Sequence, residues 1–128
     1  MTGASRGIGR TIAIQLARDG AQIVLCARGR QALDEAVRDI MQAQGHGIAV
    51  SLDLRLPDSA GQLVSSALSA FGTIDILVNN AGATKRGEFE RLSEEDWADG
   101  FALKFFGAVR LTRAAWPHLK QQIGRAHV

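Results

Sequence analysis

A glycine-rich loop near the start of the chain restricts its fold more than any other feature. Residues 2–9 contain three glycines, Gly3, Gly7 and Gly9. Because glycine adopts positive φ at no steric cost, such a loop brings backbone atoms close to a ligand. A helix that follows it directs free N–H groups and the positive end of its dipole at an anion such as a diphosphate. An ordinary turn is the alternative, since many turns contain two glycines.

Apolar residues after this loop alternate between a helical period and short continuous runs. Ile8, Ile12 and Leu16 recur every fourth residue and predict a helix over 7–19, which Gly20 ends. The same period predicts helices that end near Gly45, begin at Pro57 and begin near Ser93. Continuous apolar runs predict buried strands at residues 22–27, 48–52 and 74–79. Strands that alternate with helices predict an α/β fold around a parallel sheet.

The last predicted helix is long, and it begins with an acidic form of the capping box made by Ser93 and Asp96. Pro117 is expected to end or kink this helix near its far end, because proline lacks a backbone N–H. Four residues at helical spacing are expected to line one of its faces: Trp97, Phe101, Phe105 and Ala108.

Composition excludes several classes of protein. A length of 128 residues suggests one domain or part of one. Hydrophobic residues make up 46% and charged residues 22%, which is ordinary for a globular protein, and no apolar run is long enough to span a bilayer. The net charge is only +2 with dispersed arginines, so we expect neither nucleic acid nor a membrane as a partner. Cys26, the one cysteine, lies in an apolar run and is expected to be a buried free thiol in a reducing cytoplasm.

Two arginines stand where the adenosine of a dinucleotide would meet the loop. Arg28 follows the strand over 22–27, about twenty residues past the loop, where dinucleotide-binding folds contact the adenosine ribose. An acidic residue there favours NAD. Arg28 and Arg6 instead favour NADP, because guanidinium groups form charge-assisted hydrogen bonds with a 2′-phosphate. Two ordinary surface arginines are the alternative.

Polar residues follow the other two predicted strands. Asp53 is placed for its carboxylate to accept a hydrogen bond from the amino group of adenine, although an ordinary turn aspartate is the alternative. Residues 79–82 read Asn-Asn-Ala-Gly and close the last strand. Buried amides are costly unless they are hydrogen-bonded, and ligands bind at the carboxyl ends of strands in such sheets. The sequence therefore predicts a ligand site at this edge of the sheet.

In this order and spacing, Thr2-Gly3-x-x-x-Gly7-x-Gly9, Asp53 and residues 79–82 resemble the short-chain dehydrogenase/reductase family over nearly the whole chain. The resemblance implies a Rossmann-type, doubly wound parallel sheet and NADP as the cofactor, with NAD the less favoured one. It also implies hydride transfer between the nicotinamide and the carbonyl or alcohol carbon of a small molecule. The family usually forms homodimers or homotetramers, here through the long helix over 93–116.

The resemblance further implies three groups of cofactor contacts. The diphosphate would be held by Gly3, Ser5, Arg6, Gly7, Ile8 and Gly9. The 2′-phosphate would lie at Arg28, and the adenine at Asp53 and Leu54. The ribose would lie against Asn79, Ala81 and Gly82, and Asn79 would also connect the sheet.

The chain departs from the family pattern in its catalytic residues. Members carry a Ser and a Tyr-x-x-x-Lys beyond the long helix, and the tyrosine hydroxyl transfers a proton to or from the substrate oxygen. This chain has no tyrosine, so we expect no catalytic residue in it and no turnover by it alone. Lys104 stands where members often carry an asparagine of a proton relay. It either substitutes in that relay or is an exposed lysine whose stem covers Phe105 and Phe106.

The sheet is expected to be incomplete at both ends of the chain. A strand normally precedes the glycine loop, and our hypothesis is that Met1 is the last residue of that first strand. Residues 1–122 would then be a partial NAD(P)-binding domain that lacks its C-terminal half. Residues 123–128 match one reading frame of a sequencing-library adapter and are expected to be a non-native tail, with natural sequence as the alternative.

Two other classes of function stay open. The chain would be a non-catalytic NADP-binding or sensor domain if no catalytic tyrosine belongs to the protein. It would be an interaction module if Trp97 and Phe101 pack against a partner. Steroids, sugars, acyl thioesters and small ketones are equally compatible as substrates.

Overall fold

The structure is a computed structural model that describes residues 1–123. Its elements are α1 (Gly7–Arg18), β1 (Gln22–Ala27), α2 (Arg30–Gln42), β2 (His46–Ser51), α3 (Ser59–Phe71), a 3₁₀ turn (Phe89–Arg91), α4 (Glu94–Phe101), a π-helical segment (Ala102–Gly107) and α5 (Ala108–Ile123). This order confirms the predicted α/β class. Residues 124–128 lie outside the described part of the chain, so the tail over 123–128 stays a prediction.

The two strands pair in parallel, with residues 22–27 opposite residues 46–51. Side chains of β1 alternate between two cores, as the pleat of a strand requires. Ile23 and Leu25 pack with α1 and α2, whereas Cys26 packs with α3 and α5. Helices therefore cover both faces of the sheet, which is the arrangement expected of a doubly wound fold.

The prediction of a buried strand over 74–79 is wrong for the structure. This segment carries no strand, and Ile76 is 69% exposed. Thr2 donates its backbone N–H to the carbonyl oxygen of Val78 at 3.0 Å, and Thr2 forms a single parallel bridge with Cys26 of β1. A strand forms only when several successive residues hydrogen-bond to a neighbouring strand. Thr2 is a single bridge residue, so it offers the segment over 74–79 a partner at one position only. Among the described residues the parallel sheet therefore has two strands.

Two predicted boundaries also differ from the structure. β2 begins at His46 rather than at residue 48. Pro57 lies before α3 rather than in its first turn, because α3 begins at Ser59. The intervening residues form a turn instead, in which the carbonyl oxygen of Leu56 accepts the N–H of Ser59 at 3.3 Å.

We call α4, the π-helical segment and α5 together the long helical region. It begins where the sequence predicted and ends later than predicted. Ser93 accepts the N–H of Asp96 at 3.2 Å, and the carboxylate of Asp96 accepts the N–H of Ser93 at 3.1 Å, which confirms the capping box. Pro117 does not end the helix, since α5 continues to Ile123, and the alternative that it kinks the helix stays a prediction. Pro117 and Arg113, one turn before it, are both exposed, so the carbonyl that loses its partner lies on the solvent side.

The aromatic face of this region is open rather than buried. Trp97, Phe101 and Phe105 lie along a groove of about 440 Å³ and are each about half exposed. Within residues 1–123, no helix combines the length and apolar character that crossing a membrane requires.

Candidate functional site

The predicted site residues surround one cleft of about 760 Å³ at the carboxyl ends of the two strands. We call it the glycine-loop cleft. It is lined by residues 3, 5–9, 26–29, 32, 52–54, 80–83 and 103. Every site residue that the sequence predicted lies in this lining except Asn79. The predicted site residues of the glycine loop, of Arg28, of residues 53–54 and of residues 81–82 therefore meet at one cleft.

The three glycines of the loop are required for three different reasons. Gly3 has φ 64°, and a Cβ there would lie 2.8 Å from the Cα of Ala81. A Cβ on Gly9 would overlap the carbonyl oxygen of Gly3 and lie 2.5 Å from Nδ2 of Asn80. Gly7 has φ 55° and no atom near its missing Cβ, so this residue leaves its backbone open to the cleft. The loop thus combines tight internal packing with an exposed backbone turn.

The N-terminus of α1 presents free N–H groups to the same cleft. Arg6 is the N-cap residue, and its side chain makes no capping hydrogen bond with the first turn. The first intrahelical donor is Arg10, whose N–H is accepted by the carbonyl oxygen of Arg6 at 3.3 Å. The N–H groups of residues 7–9 precede it, and the first turn carries no acidic residue that would compete for them. This geometry suits an anion with several oxygens, such as a diphosphate.

Asn80, rather than its neighbour Asn79, fixes the position of the loop. The side-chain amide of Asn80 donates to the carbonyl oxygens of Thr2 and Gly3, both at 3.1 Å. The backbone N–H groups of Asn80 and Ala81 donate to Oγ1 of Thr2 at 3.0 and 2.9 Å. Thr2 itself is buried. Both Asn80 and Thr2 were missed as functional residues, although each stands inside a motif that the sequence did mark.

Asn79 faces the long helical region instead of the loop. Its side-chain amide donates to Oγ1 of Thr112 in α5 at 3.0 Å. Asn79 is exposed and does not line the cleft. Neighbouring residues in extended backbone point to opposite sides, so only one amide of an Asn-Asn pair can face the loop. The predicted ribose contact of Asn79 is not tested by this arrangement and stays a prediction.

Two arginines border the cleft without a partner among residues 1–123. Arg6 and Arg28 are both exposed and both line the cleft. Four of the other arginines of the described chain are paired with carboxylates, for example Arg10 with Asp39 at 2.6 Å. The guanidinium groups of Arg6 and Arg28 are therefore free to bind an anion at the cleft.

Asp53 lies at the cleft with its carboxylate already engaged. Arg55 donates to it from Nε at 3.0 Å and from Nη2 at 2.6 Å. These hydrogen bonds are the largest cause that lowers the pKa of Asp53, and the positive charge of Arg28 acts in the same direction. Asp53 is thus a fixed, ionised acceptor at neutral pH. Its predicted contact with adenine remains a prediction.

Cys26 and Lys104 are the other two groups of chemical interest near the cleft. Cys26 is fully buried as predicted, and burial raises the pKa of its thiol to about 11, so it is not a nucleophile at neutral pH. Lys104 is exposed and lies on the aromatic groove rather than in the cleft lining. Its stem passes Gly82, where an added Cβ would lie 2.9 Å from Cε of Lys104.

Comparison with known proteins identifies the family to which the chain is similar. The sequence profile of the short chain dehydrogenase family matches residues 1–126. The 3-oxoacyl-[acyl-carrier-protein] reductase FabG of Staphylococcus epidermidis is 34% identical over 123 residues, which cover 95% of this chain and 50% of the reductase. The peroxisomal multifunctional enzyme type 2 of Mus musculus is 34% identical over 131 residues, which cover 95% of this chain and 17% of that enzyme.

Solved structures agree with this assignment. An alcohol dehydrogenase of Thermococcus sibiricus, complexed with 5-hydroxy-NADP, superposes with a TM-score of 0.89 at 34% identity over 94% of this chain and 52% of its own. The L-sorbose reductase of Gluconobacter frateurii, complexed with NADPH and L-sorbose, gives a TM-score of 0.89 at 36% identity over 95% of this chain and 47% of its own. The chain thus spans about half the length of FabG and of these two solved structures, and less than a fifth of the peroxisomal enzyme. Because the family profile matches residues 1–126, nearly the whole chain, the chain belongs to the short-chain dehydrogenase family.

Proposed function

We propose that this chain forms the NADP-binding part of an oxidoreductase that transfers a hydride between the nicotinamide and a carbonyl or alcohol carbon of a small molecule. The observation that carries the proposal is the convergence of free N–H groups, Arg6 and Arg28 on one cleft. The two solved structures that are complexed with 5-hydroxy-NADP and with NADPH support the same cofactor.

The residues of the cleft have distinct roles in this proposal. The N–H groups of residues 7–9, with Gly3 and Ser5, bind the diphosphate at the positive end of α1. Arg6 and Arg28 bind the 2′-phosphate through charge-assisted hydrogen bonds. The bound nicotinamide supplies the hydride, whereas the chain orients the dinucleotide from its diphosphate and adenosine end.

Further groups complete the contacts. Asp53 accepts from the adenine amino group, and Leu54, which is buried, supports the ring from beside it. Asn79, Ala81 and Gly82 lie against the ribose. The chain has no tyrosine, so the acid–base group of the reaction is expected from residues outside these 128, and this chain alone is expected to bind NADP without turnover.

Homodimers or homotetramers through the long helical region are part of the same proposal. Its aromatic residues Trp97, Phe101 and Phe105 are about half exposed, and aromatic side chains are enriched in protein interfaces. A non-catalytic NADP-binding or sensor domain is the second candidate, because the same cleft would serve it.

The experiment uses the whole protein that carries this chain. Consumption of NADPH is followed with a panel of ketones, sugars and acyl thioesters, and binding of NADPH is measured in parallel. Arg28→Ala is expected to weaken NADPH binding roughly 10-fold, because one charge-assisted phosphate contact is lost. Arg18→Ala, an exposed arginine in the last turn of α1, is the matched control and should leave binding unchanged.

The outcomes separate the two candidates. Turnover of any carbonyl substrate supports the oxidoreductase. Binding of NADPH with no turnover across the panel supports the sensor domain. Absence of NADPH binding refutes both.

A further inference from the structure

Arg55 connects the cleft to the long helical region through two carboxylates. Its Nε and Nη2 donate to Asp53, with Nη2 at 2.6 Å from Oδ2, while its Nη1 donates to Asp99 of α4 at 2.6 Å. The side chains of Arg55 and Asp53 are 28% and 25% exposed, and that of Asp99 is 59% exposed. The pair with Asp53 is therefore the more protected of the two, and we expect it to be the stronger one.

The backbone around Arg55 is held against the same region at two more points. Nη1 of Arg110 in α5 donates to the carbonyl oxygen of Arg55 at 3.3 Å. Gly107, the last residue of the π-helical segment, approaches so closely that a Cβ on it would lie 2.9 Å from the carbonyl oxygen of Leu54. The cleft wall over 53–55 thus takes its position from the long helical region.

The hydrogen bonds of Asp53 leave room for one more donor. Its carboxylate accepts three N–H groups of Arg55: the backbone N–H on Oδ1, Nη2 on Oδ2, and Nε, which is shared between Oδ1 at 3.0 Å and Oδ2 at 3.1 Å. A carboxylate accepts about four donors, so three N–H groups leave room for about one more. That position suits a single N–H donor from a neutral ring substituent, and an exocyclic amino group of a purine is such a donor.

We propose that Arg55 is a positioning residue that fixes the carboxylate of Asp53 as the acceptor for the 6-amino group of adenine. The inference rests on the proposed function, because it assumes that the cleft binds NADP. It adds a residue outside the glycine loop that determines base specificity, and it predicts that Asp99 contributes through Arg55.

The test compares NADP with its 6-oxo analogue, nicotinamide hypoxanthine dinucleotide phosphate, which lacks the amino group. Dissociation constants of both are measured by calorimetry with the whole protein. We expect the wild type to prefer NADP roughly 10-fold, since a hydrogen bond to a charged acceptor is lost with the analogue. Asp53→Ala should remove this preference, and Arg55→Ala should reduce it to less than about 3-fold.

Two further variants keep the test decisive. Arg55→Lys retains the charge and loses the planar fork, so it should also lose most of the preference, and it serves if Arg55→Ala does not fold. Asp99→Asn should lose a smaller part of the preference for NADP over its 6-oxo analogue, because Asp99 acts only through Arg55. The matched control is Arg30→Ala, which removes an exposed arginine paired with Asp34 at 2.9 Å and should leave the preference unchanged.

A structural role of Arg55 alone would weaken both nucleotides by the same factor, and that result would overturn the inference. An absence of preference in the wild type, or a preference that survives Asp53→Ala, would also overturn it while NADP binding stands. If the wild type binds neither nucleotide, the proposed function itself fails.

Discussion

Asn80 donates two hydrogen bonds to Thr2: its backbone N–H to Oγ1 at 3.0 Å, and its side-chain amide to the carbonyl oxygen at 3.1 Å. These bonds join two segments that are 78 residues apart in the sequence. They hold the glycine loop beside the segment that follows Val78. The geometry of the cleft depends on this pair.

The first prediction concerns the two neighbouring asparagines. Asn80→Ala removes the side-chain amide that donates to the carbonyl oxygens of Thr2 and Gly3. This change is expected to lower the free energy of unfolding of the whole protein by about 1–3 kcal/mol. Asn79→Ala, which removes one exposed hydrogen bond, should cost less than about 1 kcal/mol. Urea unfolding of both variants measures the difference. Equal losses, or a larger loss for Asn79→Ala, would show that Asn80 does not hold the loop.

The second prediction concerns close packing at Gly9. A methyl group there would overlap the carbonyl oxygen of Gly3 and meet Asn80, so Gly9→Ala is expected to destabilise the protein by roughly 1–3 kcal/mol. Gly61→Ala is the matched control, because Gly61 lies within α3 with no atom near its missing Cβ. That variant should be more stable by roughly 0.5–1 kcal/mol, since alanine favours a helix. Thermal unfolding of both variants checks that Gly9→Ala lowers the stability and that Gly61→Ala raises it. An unchanged stability of Gly9→Ala would contradict the close packing at Gly9.

The third prediction concerns the reactivity of Cys26. Burial raises the pKa of this thiol to about 11, so its thiolate fraction near neutral pH is on the order of 100-fold below that of a free cysteine. Alkylation of Cys26 by iodoacetamide at about pH 8 is measured by mass spectrometry of the peptide that contains it. The reaction should be slower in the folded protein than in the urea-unfolded protein by at least this factor. The rate in the folded protein should keep rising with pH up to the raised pKa. Rapid alkylation of the folded protein at neutral pH would show that Cys26 is an accessible thiolate.

The elements that the sequence predicted correctly depend on local patterns. The period of apolar residues located α1, a continuous apolar run located β1, and Ser93 with Asp96 marked the start of α4. These signals are local, because each is encoded within a few neighbouring residues. The converging segments of the cleft followed from the rule that parallel strands end at one edge.

The features that the sequence did not predict depend on distant neighbours. The run over 74–79 has the composition of a strand, but a strand forms only beside a ladder partner, and only Thr2 pairs with it here. The choice between Asn79 and Asn80 depends on which way the backbone turns them. The hydrogen bond from Arg55 to Asp99 joins residues that are 44 positions apart, and no local pattern contains it.

The central claim is that the glycine-loop cleft binds the phosphates of NADP through the N-terminus of α1, Arg6 and Arg28. Calorimetric titration of the whole protein with 2′,5′-ADP and with 5′-AMP tests it most directly, because the two ligands differ only in the 2′-phosphate. We predict that 2′,5′-ADP binds tighter by a factor on the order of 10–100, and that Arg28→Ala removes most of this difference. Equal affinities for the two ligands, or no binding of either, would contradict the account.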